Sequence, residues 1–348
     1  MLDRRTLNRT LLLRQHLLER SSLSAMEMVE HLAGMQAQVP TSPYAGLWSR
    51  IEGFATDDLA ALLLERRVVR LALMRSTIHL VTAGDALAFR PVLAAMLAKD
   101  PYARGAPVDD IVRATREIVG GEPRTPADLA QLLVERFPTH DAEALGHAAR
   151  AFVALVQVPP RGVWGVGGQV RLTTLESWVD RPLGSSTEHD ELVLRYLRAF
   201  GPASTKDFAA WSRFTGVRAA FDRLRPQLRI DRDENGVELF DTPDAPIAEP
   251  DVATPVRFLP EYDNVLLAHA DRTRIIDERA RSFLSRENGY WPFVLVDGRV
   301  RATWSRRDGS ITVSPFDELT RAEHDAVVEE GEQLAAAFDA DRVVVGQQ

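Results

Sequence analysis

The amino-acid sequence predicts a mainly α-helical fold with a small β component, made of three tandem winged-helix units followed by a C-terminal β-meander and helix. Three observations predict this fold. A helix-capping pattern occurs three times along the 348 residues, an amphipathic helix pattern lies on each side of it, and a β-hairpin pattern follows each group. Three helices and a hairpin make up a winged helix. Capped helix pairs also occur in helical proteins without such a repeat, which is the competing interpretation.

The three capped helices begin after Ser24, Thr125 and Ser204. Each start combines a hydroxyl residue with a carboxylate three positions later, so both side chains can satisfy backbone N–H groups of the first turn. Pro126 strengthens the second signal because proline suits the first helical position. The apolar spacing after Ser24 predicts a helix over about 25–36.

The flanking helices and the wings complete each predicted unit. Helices before the capped ones cover 7–18, 108–119 and 191–200, and helices after them cover 57–67, 142–156 and 217–224. The strand patterns lie at 68–71 and 77–81, at 162–165 and 169–172, and at 228–230 and 237–240. Asn235-Gly236 marks the turn of the third hairpin, because both residues tolerate positive φ.

The C-terminal part begins with a linker over 241–255, where four prolines prevent regular structure. Asp297-Gly298 and Asp308-Gly309 are turn signals that divide a β-meander. A last capped helix runs from Thr320 to about Phe338. The predicted strands of the meander are 293–296, 300–304 and 310–313. The predicted division of the chain is 1–82 for the first unit, 83–107 for a connecting helix, 108–180 and 181–240 for the second and third units, 241–255 for the linker, and 256–348 for the meander and helix.

The composition is that of a globular protein, with 45% hydrophobic and 26% charged residues. The sequence contains no cysteine, which excludes disulfides, zinc fingers, iron–sulfur clusters and thiol catalysis. The eight histidines show no zinc-binding spacing, so we expect no metal and no cofactor. No apolar stretch suits a signal peptide or a membrane span, so we expect a cytoplasmic monomer without membrane contact.

Helix-turn-helix units commonly place one helix in a DNA groove, so three in series predict double-stranded DNA as the partner. The net charge of −8 argues against a wholly basic coat but leaves room for one basic face. Candidate phosphate contacts are Arg218 in the third unit and Arg299, Arg301, Arg306 and Arg307 in the meander. For any one arginine, a solvated surface position is the alternative. On architecture alone, a non-catalytic DNA-binding regulator and a protein-docking solenoid remain open.

The first capped helix ends in Gln36-Ala37-Gln38, shortly before Pro40 and Pro43 force the chain out of the helix. By itself this is a weak signal, because polar residues at a helix end are usually only solvated. Together with other segments, however, it resembles the AlkZ family of bacterial DNA glycosylases over nearly the whole chain. The segments that carry the resemblance are 32–44, 75–80, 160–165, 200–204, 259–264 and Asp271-Arg272.

The resemblance implies tandem winged-helix motifs in a C-shaped arrangement. Gln36 and Gln38 match the family's catalytic Gln-x-Gln signature, with a smaller central residue than is usual. It also implies excision of alkylated purines, including bulky N7-alkylguanine adducts and, in some members, unhooking of interstrand crosslinks. Several such enzymes are self-resistance factors of organisms that make DNA-alkylating natural products. We expect an open cleft with little extrusion of the base.

Two amides suffice for this chemistry because N7 alkylation gives the purine a positive charge, and it then leaves as a neutral base. The enzyme needs no strong general acid, and what remains is to stabilise the sugar cation and to hold a water. A glutamine carbonyl can accept from water while its NH2 donates. We expect Gln38 to hold the water and Gln36 to orient that water or the sugar, an assignment that the sequence leaves open.

Other residues of the resembling segments are candidates for supporting roles. Arg75 and Arg161 could contact phosphates near the lesion, and Trp164 could stack on bases or be buried in its wing. Thr77 and His79 lie in one predicted strand, and for His79 a buried core position is the alternative. A bifunctional lyase needs an amine, and the sequence has only two lysines, Lys99 and Lys206, so we expect a monofunctional enzyme, with the N-terminal amine as the alternative nucleophile. We interpret Asp263, Asn264, Asp271 and Arg272 as structural.

Overall fold

The structure is a computed structural model that describes residues 1–99, 107–286 and 291–346. Residues 100–106 of the predicted connecting segment, and 287–290 and 347–348 of the predicted C-terminal part, lie outside the described residues. The helices are α1 (Arg4–Arg14), α2 (Ala25–His31), α3 (Ser42–Trp48), α4 (Thr56–Leu64), α5 (Ala83–Leu97), α6 (Val108–Gly121), α7 (Pro126–Arg136), α8 (Ala142–Phe152), α9 (Leu175–Val179), α10 (Asp190–Phe200), α11 (Thr205–Ser212), α12 (Arg218–Leu224), α13 (Asn264–Leu267), α14 (Glu278–Arg286) and α15 (Arg321–Ala337).

The strands form two five-stranded sheets and one hairpin. They are β1 (Met35–Gln36), β2 (Val68–Ala72), β3 (Ile78–Thr82), β4 (Leu155–Gln157), β5 (Leu172–Thr174), β6 (Arg229–Arg232), β7 (Glu238–Asp241), β8 (Arg257–Leu259), β9 (Phe293–Val296), β10 (Arg299–Arg307), β11 (Ser310–Pro315) and β12 (Arg342–Val345). The sheet orders are β1-β3-β2-β4-β5 and β12-β11-β10-β9-β8, and β6 pairs with β7. The fold is therefore mixed, and its β component is larger than predicted.

Local capping signals are confirmed at each predicted start. Ser24, Ser204 and Thr320 each accept a hydrogen bond from the backbone of the third helical residue, whose carboxylate accepts from the cap in return. Thr125 caps α7 with Pro126 in its first turn. The first and third hairpins, the meander and the last helix are confirmed as well. Three predicted helices end earlier than expected, since 7–18 ends at Arg14, 57–67 at Leu64 and 142–156 at Phe152.

The predicted second wing is wrong. Residues 162–165 form turns, and the strands of this region are β4 and β5 on either side. Gly162 and Gly165 have φ of 96° and 71°, and the preceding Pro160 cannot donate to a ladder, so the segment cannot continue as a strand. Strand β4 pairs with β2, which joins the β-structure of the first two predicted units in one sheet.

The predicted first capped helix is also wrong at its C-terminal end. Helix α2 stops at His31, because Ala33 and Gly34 turn the chain with φ of 51° and 93°. A Cβ at Gly34 would lie 2.4 Å from Cγ1 of Val81, so only glycine fits this turn. The chain then enters β1, which puts the first glutamine on a strand instead of a helix end.

The proline-rich segment has no regular structure after Asp241, which itself belongs to β7. The segment is nevertheless fixed in place along α1. Three arginines of α1 donate to its carbonyls: Arg14 to Pro246 at 2.9 Å, Arg5 to Pro250 at 2.7 Å, and Arg9 to Val252 at 3.1 Å. Within the described ranges, no helix is both long and apolar enough to cross a membrane.

Candidate active site

Pairing of β1 with β3 positions both glutamines. Gln36 lies opposite His79 in the ladder, and the amide N–H of Ala37 donates to the carbonyl of Ile78 at 2.7 Å. In extended backbone, residues two apart point to the same side and the one between points away. Ala37 is fully buried, Gln36 is 7% exposed and Gln38 is exposed. The pair therefore faces one side because the chain is extended.

The loop between β2 and β3 brings Arg75 onto this pair. Arg75 and Ser76 both have left-handed backbone, with φ of 56° and 58°, a conformation that costs free energy in residues other than glycine. The Arg75 Nη2 donates to Oε1 of Gln36 at 2.8 Å and lies 3.3 Å from Nε2 of His79. Its Nη1 donates to the carbonyl of Trp211 in α11 at 2.5 Å. The guanidinium that we predicted as a phosphate contact thus bonds to protein groups of two regions.

His79 is a neutral hydrogen-bond acceptor in this network. It is buried, and burial together with the nearby Arg75 lowers the pKa of His79 to about 3. Its Nδ1 lies 2.9 Å from the carbonyl oxygen of Thr77, which can only accept, so Nδ1 carries the proton and Nε2 accepts from Arg75. The contribution of Thr77 is this carbonyl, since its hydroxyl donates to Met74 at 3.1 Å.

The network fixes the orientation of the Gln36 amide. Because Oε1 of Gln36 accepts from Arg75, its Nε2 must point the other way, and among the described residues this nitrogen has no hydrogen-bond partner. Oε1 of Gln38 accepts from the backbone N–H of Ile78 at 3.2 Å, which leaves the second lone pair of this exposed carbonyl available to accept another hydrogen bond. Gln36 therefore presents a donor, and Gln38 retains both a donor and an acceptor.

Arg161, Trp164 and Arg306 line one cleft of about 510 Å³ that begins at Pro40, two residues beyond Gln38. The Arg306 guanidinium lies 5.7 Å from the centre of the Trp164 ring. Trp164 is half-buried and packs on Tyr44. The Tyr44 hydroxyl donates to the carbonyl of Gly162 at 2.8 Å and accepts from the backbone N–H of Trp164 at 3.0 Å. The turn that replaces the second wing is thereby docked near the glutamine pair.

The other predicted arginines are arranged differently. Arg218 is exposed on α12 and pairs with Asp222 at 3.0 Å. Arg299 donates to the carbonyl of Thr273 at 3.4 Å, and Arg301 is half-buried. The partners of Arg301 are Asp317 at 3.1 Å and Glu323 at 3.3 Å. Arg307 is exposed at the end of β10, where it lines a second cleft beside Arg306. Of this group, Arg306 lines the cleft that begins at Pro40, and Arg307 lines only the neighbouring one.

Two residues support the site in ways that the sequence did not indicate. Arg70 was not recognised as a site residue, and Asn264 was interpreted as structural without a known contact. Arg70 of β2 is 2% exposed, and its Nη2 donates to the carbonyl of Ala37 at 2.8 Å, directly behind the pair. Burial lowers the pKa of Arg70 to about 10, so it stays charged at neutral pH. Asn264 donates to the carbonyl of Gly34 at 2.9 Å and holds the turn before β1. The signal for Arg70 was a charge in an otherwise apolar strand pattern.

Burial of His79 makes stability depend on pH. Its pKa is about 6.5 in an unfolded chain and about 3 in the fold, so the unfolded state takes up a proton first as the pH falls. Stability is complete above pH ~6.5 and decreases below it by about 1.4 kcal/mol per pH unit from this residue. His79→Asn keeps a donor and an acceptor without titrating. Urea unfolding at several pH values between 6.5 and 4 should therefore show a shallower dependence for the variant, and equal slopes would contradict the assignment.

Across the residues that the structure describes, no three histidine or carboxylate side chains are grouped closely enough to hold a metal ion. The polar groups that converge on Gln36 are an arginine and a neutral histidine. The arrangement can accept from water, donate to an oxygen and hold charge nearby. None of these groups is a strong acid.

Comparisons with known proteins identify the family of this chain. The sequence model of a protein family described as DNA glycosylase AlkZ-like matches residues 29–337. An interstrand DNA cross-link repair glycosylase of Streptomyces sahachiroi is 24% identical over 357 aligned positions, which cover 95% of each protein. The solved structure of Streptomyces sahachiroi DNA glycosylase AlkZ has a TM-score of 0.82 and 24% identity, covers 99% of both chains, and therefore shares the fold. Because the family match spans most of the sequence, this chain belongs to the AlkZ-like family of DNA glycosylases.

Proposed function

We propose that the enzyme is a monofunctional glycosylase that hydrolyses the N-glycosidic bond of cationic alkylated purines in double-stranded DNA, N7-alkylguanines above all. The observation that carries this proposal is the neutral pair Gln36 and Gln38, of which Gln36 accepts from an arginine that also donates to an unprotonated histidine. Neutral amides cannot protonate a leaving base. The reaction is therefore restricted to purines that already carry a positive charge.

In the proposed reaction the C1′–N9 bond breaks and its electron pair neutralises the purinium, so that the base leaves uncharged. The oxygen of a water held by the exposed Gln38 carbonyl bonds to C1′, and its proton passes to solvent. The Nε2 of Gln36, directed by Arg75, donates to a sugar or phosphate oxygen. This division of roles follows from the bonds that already occupy each carbonyl.

The test is release of N7-methylguanine from a duplex by the full chain, with an undamaged duplex of the same sequence as the control. We expect release from the damaged strand alone. A regulator would instead bind one DNA sequence tightly, whereas this enzyme should bind any sequence in a salt-sensitive manner and more tightly when damage is present.

We also propose that interstrand crosslinks are substrates, in keeping with the name of the Streptomyces relative, an interstrand DNA cross-link repair glycosylase. In this proposal the protein acts as a cytoplasmic monomer, and a role in self-resistance to a DNA-alkylating natural product follows if its host makes one. The predicted ranges 1–82, 108–180 and 181–240 would act as three winged-helix units around duplex DNA in a C-shaped arrangement. Gel analysis of a crosslinked duplex, before and after incubation, tests the unhooking step.

A monofunctional enzyme is expected to form no covalent intermediate with DNA. Borohydride reduction during turnover should trap no protein–DNA complex, because Lys99 and Lys206 are the only lysines and a water takes the place of an amine nucleophile. A known bifunctional lyase in a parallel reaction is the positive control. Trapping of this chain on DNA would overturn the monofunctional assignment.

A further inference from the structure

A second cleft, of about 410 Å³, lies beside the candidate active site and has no part in the chemistry above. Its lining is mostly apolar and unusually aromatic. The aromatic residues that line it are Trp164, Trp291, Trp304 and Phe338. A cleft of this size is large enough for one planar ring system and small compared with duplex DNA.

The rings of this aromatic cleft are held in place before any ligand binds. The Trp304 indole N–H donates to the carbonyl of Leu259 at 2.9 Å. The rings of Trp164 and Phe338 are 5.0 Å apart and tilted by 51°. Trp291 lies at the mouth and is 40% exposed. A ligand that stacks on preformed rings loses little free energy to ordering of the protein.

The aromatic cleft adjoins the cleft that begins at Pro40, two residues beyond Gln38. It shares Thr41, Trp164 and Arg306 with the cleft that begins at Pro40. Thr41 follows Gln38 by three residues, so their Cα atoms are at most about 11 Å apart. A group attached to a base whose sugar is bound at Gln38 can therefore reach it.

The charged residues around the aromatic cleft are arranged as an apolar group attached to a DNA base would require. Arg306 and Arg307 are exposed on the rim, where DNA phosphates would approach. Inside, Glu261 has no ion-pair partner among the described residues, and burial raises the pKa of its carboxyl. The raised pKa indicates a poorly hydrated interior that favours an apolar guest.

We propose that the aromatic cleft binds the planar aromatic arm of a bulky N7-alkylguanine adduct, while the damaged base stays at the glutamine pair. This inference rests on the proposed function, and it makes Trp291 a residue that determines specificity for large adducts. An N7 substituent projects away from the sugar, so the base need not enter the cleft. Stacking of the arm on the indole rings would add binding free energy that a methyl adduct lacks.

The test compares two duplexes that differ only in the lesion, N7-methylguanine or N7-benzylguanine. For the wild type we expect a higher kcat/KM on the benzyl adduct. Trp291→Ala should lower kcat/KM for the benzyl adduct about tenfold more than for the methyl adduct, the scale of one lost stacking contact. The control is Leu64→Ala, which removes a side chain that is 60% exposed outside both clefts and should change neither rate.

Each other outcome overturns the inference. An equal loss on both adducts would assign the aromatic cleft to the base itself or to DNA positioning. Equal rates on both adducts for wild type and variant alike would show that the cleft takes no part. If the wild type releases neither base, the proposed function fails and this inference with it, whereas release of N7-methylguanine with no benzyl preference leaves the proposed function standing.

Discussion

Gln38→Ala is expected to lower the single-turnover rate of N7-methylguanine release about 10²–10⁴-fold, the usual effect of removing a group that handles the attacking water. The exposed carbonyl of Gln38 has a lone pair left for that water, and the methyl group of alanine cannot replace it. Among the described residues, the Gln38 side chain has one hydrogen bond, which it accepts from the backbone of Ile78, so the variant should fold. The measurement is the amount of free base over time with enzyme in excess of DNA.

The matched control for this prediction is Gln131→Ala. Gln131 is an exposed glutamine on α7, where its nearest contact is Glu135 at 3.5 Å, and its removal should leave the rate unchanged. Gln36→Ala is expected to be impaired as well, since it removes the donor that Arg75 directs at the substrate. A wild-type rate in both Gln36→Ala and Gln38→Ala would refute the assignment of the glutamine pair.

Predictions from local chemistry agree best with the structure. The caps at Ser24, Ser204 and Thr320 depend on side chains three residues apart, and the turn at Asn235-Gly236 depends on Gly236, which has a φ of 79°. In each case the interacting groups are neighbours in sequence. Such features need no knowledge of the rest of the molecule.

The errors concern contacts between distant parts of the chain. Gln36 is on a strand because β3, more than 40 residues later, offers an edge to pair with, and the helical spacing of 25–36 contains no trace of that edge. The sequence did not indicate the ion pairs of Arg301 either, because the two carboxylates follow it by 16 and 22 residues. Its contact with phosphate stays a prediction. Strand β12 likewise forms only because β11 is there to pair with it.

The same distinction between local and distant contacts applies to the candidate site. The glutamines were found through a family resemblance, while their roles required knowing which atoms already have partners. Arg75 reaches Gln36 because its own backbone is left-handed, and no residue in its segment is a glycine that would signal this conformation. The sequence therefore indicates the candidate residues, and the geometry of the loop between β2 and β3 decides how Gln36 is oriented.

Arg75→Ala is expected to lower the maximal single-turnover rate by about 10²-fold, although Arg75 is a positioning residue. Without its Nη2, the Gln36 amide can rotate and present either oxygen or nitrogen to the DNA, and misplacement by about 1 Å costs this much. The effect should be on the maximal rate and not on the DNA concentration that gives half of it, because the guanidinium bonds to Gln36, His79 and Trp211.

Two further measurements separate this role from a merely structural one. Arg75→Lys keeps the charge but replaces a planar fork of donors with a single ammonium, so it should recover little activity, whereas added guanidinium ion should restore part of the rate of Arg75→Ala. Arg321→Ala, which removes an exposed arginine from a surface pair with Asp325, is the matched control and should keep the maximal rate. Full activity in Arg75→Lys, or a loss in Arg75→Ala confined to DNA affinity, would mean that Arg75 acts through its charge on the phosphates, and the orientation of Gln36 would then need another cause.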